Sequence, residues 1–210
     1  MSFLQSKSRL EGISDAVFAF AATLLVVSLE VPTSFELLKA QLSGFLSFGI
    51  SFFALILIWK VHYNFFRRTD YVDNWVIAFN MFLLFVVLYF VYPLKFLANL
   101  PFMGKPISVD DFSTLFQLYS LGFSLMFLCI ALMYGRAGFK STEATNRKKL
   151  IFYMRHFGIF VFMGIVSMLL ATFKIGLIFA LPGIIYAMLG PLCWYHGAKF
   201  PYDEVPPKTA

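Results

Sequence analysis

Charged residues are scarce in this chain. Only 13% of its 210 residues are Asp, Glu, Lys or Arg, whereas 60% are hydrophobic and 28 are Phe. Soluble domains carry about a quarter charged residues, so this composition predicts a membrane protein with several spans. The net charge of +6 does not indicate nucleic-acid binding, because the cytoplasmic loops of membrane proteins need basic residues in any case.

Other absences exclude further classes of protein. The only two cysteines, Cys129 and Cys193, lie inside apolar runs, so neither a disulfide framework nor a metal-ligand spacing is present. No small-residue cleavage site follows the first apolar run, which we therefore interpret as a retained span. The loops are too short for a soluble catalytic domain, and we expect the protein to act within or across the bilayer.

Six apolar stretches are long enough to span a membrane, which takes about 20 residues each. The predicted fold is all-α, with one six-helix transmembrane domain over residues 1–200 and no internal repeat. A short polar tail follows at 201–210. The predicted spans are 13–31, 42–64, 74–97, 112–135, 150–173 and 175–197, with a tight turn before the last and Pro182 and Gly183 interrupting it.

The basic residues predict the orientation. If the N-terminus is cytoplasmic, thirteen of the 17 Lys and Arg residues fall on the cytoplasmic side. The other side then holds only Lys39, Lys95, Lys105 and Lys174. Because basic residues accumulate on cytoplasmic loops, both termini are predicted to be cytoplasmic.

Polar residues cluster near the cytoplasmic ends of the first three spans. Ionisable groups in spans are costly and so suggest function. A network that joins Ser14, Asp15, His62 and Asn80 is geometrically plausible, with Trp59 beside it. Alternatively, Trp59 and His62 are merely interfacial, as aromatic belts often are. The same residue types occur in hydrolases, but no nucleophile-elbow glycine pattern surrounds Ser14, so no enzyme is predicted.

Span one has two faces when projected as a helix at about 100° per residue. One face carries Phe20, Leu24 and Val27, with Thr23 at its edge, and Asp15 falls nearly opposite. If the first face meets other subunits, Asp15 must be buried against spans of its own subunit. A simple lipid contact of the apolar face remains the alternative.

The stretch Arg9-x-x-x-Ile13-Ser14-Asp15 resembles the Arg-x-x-x-Phe-Ser-Asp signature of the transmembrane-protein-175 family of potassium channels, which lack a TVGYG filter. The segment "IWKVHYNFF" and Asn80 are similar to that family too. The resemblance implies a homotetramer in the bacterial inner membrane, without an obligatory protein partner. It also implies a pore along span one, with constriction positions at Phe20, Thr23 or Leu24, and Val27. The sequence departs from the family at two positions. Ile13 stands where the signature has Phe, and Phe20 stands where an aliphatic residue is expected.

A pore of this kind predicts a hydrophobic gate. Its apolar lining offers no oxygen to a dehydrated ion, which would face a large desolvation cost, so ions are expected to pass partly hydrated and the gate to close by dewetting. The Thr23 hydroxyls are the only side-chain oxygens near the constriction, where a potassium ion would bind transiently; no cofactor or resident metal is expected. Glu30 either enriches cations at the outer mouth or is an interfacial charge.

Two other functions remain open from the sequence. A proton-coupled transporter would use Asp15 and His62 as a proton relay, but no pair of broken helices marks a substrate site in matching halves. An assembly subunit would carry no flux at all. Modest selectivity for potassium over sodium is the main prediction.

Overall fold

The structure is a computed structural model, and it describes residues 7–27, 33–40, 42–102, 104 and 107–200. Within these ranges the regular elements are all helical. Three short 3₁₀ turns supplement them, at Leu100–Phe102, Leu177–Phe179 and Ile185–Met188. The helices are α1 (Lys7–Val27), α2 (Phe35–Ala40), α3 (Leu42–Arg68), α4 (Asn74–Asn99), α5 (Val109–Lys140), α6 (Ala144–Thr172), α7 (Leu181–Ile184) and α8 (Leu189–Lys199).

Five helices in the described part of the chain are long and apolar enough to cross a membrane. They are α1, α3, α4, α5 and α6, and they correspond to the first five predicted spans. The prediction missed mainly their lengths. Helix α1 begins at Lys7, so the polar signature lies inside the helix and not ahead of it. Helix α5 extends beyond both predicted limits, and α6 begins at Ala144, before its predicted start at 150.

The sixth predicted span is helical but broken into short pieces. After α6 the chain turns with Gly176 at φ 66° and Ala180 at φ 51°, and Pro182 follows in the first turn of α7. The Ser167 hydroxyl of α6 donates to the Pro182 carbonyl at 2.7 Å. A proline in the first turn of a helix removes no intrahelical hydrogen bond, so Pro182 begins the next helix after the turn, and Ser167 joins that start to α6.

Among the helix starts that the structure describes, those of α4 and α5 have a side-chain cap. The Asp73 side chain accepts the Val76 N–H at 2.9 Å at the start of α4. The Ser108 side chain accepts the Asp111 N–H at 3.1 Å at the start of α5. Each cap satisfies a backbone N–H that has no partner within its own helix.

The core lies between α5 and α6 and continues to α4. Aromatic side chains fill it: Phe127 contacts Phe160 with ring centroids 4.5 Å apart, and Tyr134 contacts Tyr153 at 5.2 Å. Helix α1 packs on the other side of the molecule, against α3 and α4. This arrangement leaves one side of α1 uncovered.

The basic residues gather at one end of the helices. At this end Lys7 of α1 pairs with Asp70 at 2.6 Å, and Arg136 of α5 pairs with Asp73 at 2.7 Å. The ring of Phe152 of α6 stacks on His196 of α8 at 4.6 Å. We call this the basic end; it is the end that the charge distribution predicts to be cytoplasmic.

Candidate functional site: the first helix and its polar anchor

One stripe of α1 is buried against α3 and α4. It consists of residues spaced three or four apart, which lie on one helical face: Leu10, Ser14, Phe18, Ala21 and Leu25. Ser14 is the one polar member of the stripe and is completely buried. A buried hydroxyl needs hydrogen-bond partners, and it finds them on two sides.

A chain of hydrogen bonds joins three helices at this point. The Ser14 hydroxyl donates to the Leu10 carbonyl at 2.7 Å. The Asn80 amide donates to Ser14 Oγ at 3.0 Å, and Asn80 Oδ1 lies 2.7 Å from His62 Nε2. Ser14, Asn80 and His62, which the sequence predicts as network members on α1, α4 and α3, are thus brought together.

The donor and acceptor in each of these hydrogen bonds can be assigned from the Leu10 carbonyl, where the chain of bonds ends. A carbonyl oxygen only accepts, so Ser14 must give its single proton to Leu10, and its oxygen must then accept from the Asn80 amide nitrogen. The Asn80 oxygen therefore faces His62, whose Nε2 must carry a hydrogen. Each of the three hydrogen bonds thus pairs one donor with one acceptor, so the chain is consistent from His62 to Leu10.

Asp15 is not part of this chain. Its carboxylate accepts the indole N–H of Trp59 at 2.8 Å, and Trp59 stacks on Tyr63 with ring centroids 5.4 Å apart. The Asp15 side chain is exposed, so the expectation that it is buried against its own subunit is wrong. Asp15 falls at the edge of the buried stripe, where an indole reaches it from α3 without covering it.

A small cavity separates the two groups of polar residues. It has a volume of about 160 Å³, and Glu11, Asp15 and His62 line it together with two aromatic rings, Tyr63 and Phe66. The His62 ring also contacts Phe18 at 5.5 Å. Among the described residues, the hydrogen bond of His62 is to Asn80 and that of Asp15 is to Trp59.

The opposite side of α1 carries the predicted pore residues. Phe20 is 56% exposed and Val27 is 78% exposed; Thr23 is exposed as well, while Leu24 is half-buried against the core. The Thr23 hydroxyl donates to the Phe20 carbonyl at 2.7 Å. Its lone pairs therefore stay available on the uncovered side of the helix.

Two other predicted residues have less structural context. Arg9 is exposed near the start of α1. Glu30, the candidate for cation enrichment at the outer mouth, lies outside the described residues. Within the described ranges, no three His, Cys, Asp or Glu side chains lie close enough to hold a metal ion.

The basic end holds a second polar cluster, which the sequence does not reveal. Arg68 of α3 donates to the Tyr134 hydroxyl of α5 at 2.9 Å, and its guanidinium lies 3.9 Å from the centre of the Tyr153 ring of α6. In the sequence, Arg68 is one of many basic residues, and nothing near it predicts a contact with Tyr134 or Tyr153.

Asp73 is the centre of another group of polar contacts at the basic end. Its carboxylate accepts the Tyr71 hydroxyl at 2.9 Å and the Arg136 Nε–H at 2.7 Å, besides the Val76 N–H. Burial alone would favour the protonated acid, but these hydrogen bonds and the Arg136 charge outweigh it and hold the pKa of Asp73 below its ordinary value. Burial and the neighbouring Asp73 raise the pKa of the Tyr71 hydroxyl. Asp73 is therefore a charged tie between the start of α4 and the end of α5.

These features define an all-helical, multi-pass membrane protein whose first helix presents one anchored and one uncovered face. The sequence model of a family described as endosomal/lysosomal potassium channel TMEM175 matches residues 9–90. A potassium channel from Marivirga tractuosa is 39% identical over 149 residues, which are 63% of this chain and 60% of that protein. A potassium channel from Streptomyces collinus is 29% identical over 102 residues, 46% of this chain and 50% of that protein. The chain thus matches about half of the length of these curated relatives.

Solved structures extend the similarity to nearly the whole chain. A point variant of the potassium channel MtTMEM175, crystallised with a nanobody–MBP fusion protein, has a TM-score of 0.75 and 30% identity, and the match covers 91% of this chain and 92% of that one. A homolog of the lysosomal potassium-selective channel TMEM175, from Chamaesiphon minutus, shares the fold with a TM-score of 0.62 and 20% identity, over 93% and 98% of the two chains. The chain belongs to the TMEM175 family. The relatives named here are called potassium channels and not enzymes.

Proposed function

We propose that this protein is a homotetrameric potassium channel of the bacterial inner membrane, in which the uncovered face of α1 from each subunit surrounds the ion path. The observation that carries the proposal is the split of α1 into two faces. Ser14 is anchored to Asn80 on the buried side, while Phe20 and Val27 are exposed on the other. The relatives that are named potassium channels support the same function.

The gate is hydrophobic. Phe20 and Val27 present hydrocarbon to the path, and Leu24 completes the constriction from its half-buried position. Such a lining cannot replace the water around an ion, so ions cross partly hydrated. When the radius shrinks, water leaves the constriction and conduction stops.

Thr23 supplies the polar contact in the narrow zone. Because its proton is given to the Phe20 carbonyl, each Thr23 oxygen meets the path as an acceptor. A ring of four such oxygens coordinates a potassium ion or its water transiently. Potassium releases its water more readily than sodium, so selectivity is modest; the channel needs no cofactor and no obligatory protein partner.

The basic end is cytoplasmic in this proposal, and so are both termini. Basic residues accumulate on the cytoplasmic side of membrane proteins, and contacts such as Lys7 with Asp70 and Arg136 with Asp73 gather them at one end. Tryptophan and tyrosine at this end, including Trp59 and Tyr63, suit the membrane interface.

A proton relay through Asp15 and His62 receives less support. The Nε2 hydrogen of His62 is committed to Asn80, and the chain beyond it ends at the Leu10 carbonyl, which has no proton to pass on. Asp15 and His62 share the wall of one small cavity, but each has its hydrogen bond elsewhere. A proton-coupled carrier would show saturable uptake driven by a pH gradient, whereas a channel shows single-channel current steps.

The test is potassium flux from liposomes that contain the purified chain. Val26 and Val27 make a matched pair, because both are exposed, at 51% and 78%, but they point about 100° apart around the helix. We expect Val27→Thr to wet the gate and raise the flux severalfold, and Val26→Thr to leave it unchanged. Thr23→Ala should reduce the preference for potassium, and Phe20→Ala should widen the path.

Three outcomes contradict the proposal. Equal effects of Val26→Thr and Val27→Thr would mean that the flux does not depend on which face of α1 is changed. If Thr23→Ala and Phe20→Ala both left conductance and selectivity unchanged, the pore would lie elsewhere. A mass measurement in detergent that gave other than four chains would exclude the tetramer.

A further inference from the structure

A second cavity lies at the basic end, and none of the residues that line it belongs to α1. It has a volume of about 750 Å³ and opens between the end of α5, the start of α6 and the end of α8. Its wall has two chemically different parts.

One part is basic. Arg147, Lys148 and Arg155 line the cavity, and all three are exposed residues of α6. Their spacing of one and eight positions places them on one side of the helix. No acidic side chain is among the described residues that line the cavity, so its three positive charges are not neutralised from within.

The start of α6 adds to this positive field. Glu143 precedes the helix but makes no side-chain cap hydrogen bond, and Ala144 and Thr145 of the first turn line the cavity. The first N–H groups of a helix have no acceptor inside the helix and carry a partial positive charge. An anion in the cavity would therefore meet backbone donors as well as side chains.

His196 of α8 gives a second, independent sign of a ligand. Its side chain lines the cavity and the residue is only 8% exposed. Neither ring nitrogen has a hydrogen-bond partner among the described residues. A buried ring nitrogen without a partner is costly, so the described residues leave an unpaired polar group in the wall of this cavity.

The other part of the wall is apolar and aromatic. Phe139 lies in the last turn of α5, Ile151 and Phe152 follow the first basic residues along α6, and Phe200 closes the cavity beyond α8. Phe152 stacks on His196. A small inorganic anion would leave this hydrocarbon surface in contact with water, whereas a phosphate attached to an acyl chain would cover both parts.

We infer that this cavity binds the phosphate headgroup of an anionic phospholipid, with its acyl chain along Phe139, Ile151 and Phe152. The position fits this occupant, because the cavity lies where membrane-spanning helices end on the basic side. Basic pockets between helices on that side of a membrane suit lipid phosphates. Arg147, Lys148 and Arg155 bind the phosphate, and His196 lies between the phosphate and the apolar wall.

The experiment is native mass spectrometry of the full chain in detergent, titrated with phosphatidylglycerol and, separately, with phosphatidylcholine. We expect one phosphatidylglycerol per chain to bind at least about tenfold more tightly than phosphatidylcholine. A basic residue near an anionic lipid contributes about a factor of five in affinity. Arg155→Gln should therefore weaken phosphatidylglycerol about fivefold, and the Arg147→Gln/Lys148→Gln/Arg155→Gln variant should abolish the preference over phosphatidylcholine.

Lys140→Gln is the matched control. Lys140 is an exposed basic residue at the same end of the molecule, on α5, and it does not line the cavity. An equal loss in Lys140→Gln would show that the lipid follows overall charge, which overturns the site. A thermal shift with inorganic phosphate alone as large as that with phosphatidylglycerol would assign the cavity to a free anion and overturn the lipid.

The tail provides one more discriminating variant. Residues 201–210 contain Asp203 and Glu204, which carry the same sign of charge as a lipid phosphate. If the effect of Arg155→Gln on thermal stability disappeared when residues 201–210 were deleted, the occupant would be the chain itself. Retention of the phosphatidylglycerol preference in the deleted chain supports the lipid. None of these binding measurements depends on ion conduction.

Discussion

The amide nitrogen of Asn80 lies 3.0 Å from the hydroxyl oxygen of Ser14, and the bond joins α4 to α1 across 66 positions of sequence. Both side chains are completely buried. Because the bond fixes one face of α1 against the subunit, it also determines that Phe20 and Val27 lie on the uncovered face. The polar anchor and the proposed gate are therefore two consequences of one helix orientation.

The first prediction concerns this anchor. Asn80→Ala leaves Ser14 Oγ without its donor and His62 Nε2 without its acceptor, and a buried polar group that loses its partner costs about 1–3 kcal/mol. We expect a clear fall in the thermal unfolding temperature in detergent. Asn74→Ala on the same helix is the control, because Asn74 is exposed and exposed substitutions usually change stability by less than about 0.5 kcal/mol.

A double-mutant comparison tests the bond itself. In a Ser14→Ala background, Asn80→Ala should cost less than in the wild type, because part of its effect has already been lost. Strictly additive losses would mean that the 3.0 Å contact contributes nothing to the stability of the α1–α4 packing.

The second prediction concerns Asp15 and Trp59. Trp59→Phe removes the indole N–H that binds the Asp15 carboxylate at 2.8 Å but keeps an aromatic ring beside Tyr63. A hydrogen bond to a charged group contributes about 1.5–3 kcal/mol. Because Asp15 is exposed, we expect the loss of stability in Trp59→Phe to be at the lower end of this range or below it. We expect weaker tetramer assembly, measured by mass in detergent, with unchanged ion preference.

Trp75→Phe serves as the control for Trp59→Phe, because Trp75 is an exposed indole at the start of α4. Asp15→Ala should behave like Trp59→Phe, and His62→Ala should also weaken assembly. A changed potassium preference in intact Asp15→Ala tetramers would instead place this carboxylate on the ion path.

The sequence predicts five of the long spans and the Ser14, Asn80 and His62 part of the anchor, for a physical reason. Serine, histidine and asparagine stand out in apolar helices. In a medium of low dielectric an unpaired polar side chain is costly, so these residues are expected to hydrogen-bond one another. Hydropathy, however, detects only the membrane core of a helix. It therefore places the start of α1 at residue 13, although the helix begins at Lys7 and carries its charged turn beyond the apolar region.

Other features depend on side-chain reach, which a linear pattern does not contain. Asp15 pairs with Trp59 and not with His62, because the indole extends from α3 to the edge of the buried stripe. Arg68 reads as one more cytoplasmic charge, yet it joins Tyr134 and Tyr153. Pro182 indicates an interruption of the sixth span, while its stabilisation by Ser167 is visible only in three dimensions.

The third prediction concerns pH. The pKa of Asp73 is below its ordinary value of 3.8 in the folded protein, so the folded state binds this proton less readily than the unfolded state. The stabilisation by Asp73 is complete above the unfolded pKa and is lost as pH falls through the lower folded value. Asp73→Asn keeps an oxygen for the Val76 N–H but loses the charge opposite Arg136.

We expect Asp73→Asn to lower the unfolding temperature by a few degrees at pH 7. This difference should shrink as the pH falls below about 4, because Asp73 of the unfolded wild type then takes up a proton, and it should vanish once Asp73 is neutral in the folded state too. The control is Asp70→Asn, since the Asp70 side chain is 95% exposed in its pair with Lys7 and exposed ion pairs contribute little. A gap between wild type and Asp73→Asn that is constant from pH 7 to pH 3 would contradict a charge effect.

The fourth prediction compares two glycines of α6. A Cβ atom built on Gly164 would overlap the Ser124 hydroxyl and lie 3.2 Å from Phe123 and 3.4 Å from the Ser120 carbonyl, all on α5. A Cβ atom on Gly158 would meet nothing within 4 Å. Gly164→Ala must therefore separate α5 from α6 or displace Ser124, at a cost of about 1–3 kcal/mol.

Gly158→Ala should instead be neutral or stabilising by up to about 1 kcal/mol, because alanine favours a helix more than glycine does. Thermal unfolding of both variants in the same detergent measures the difference between them. Helix propensity alone would change the stability of both variants in the same direction. Comparable changes in both variants would mean that α5 and α6 do not approach closely at Gly164. A loss confined to Gly164→Ala would show that α5 and α6 approach closely at Gly164. At the same interface Ser120 bonds Ser167 at 2.8 Å, and Ser167 bonds the Pro182 carbonyl of the broken sixth segment.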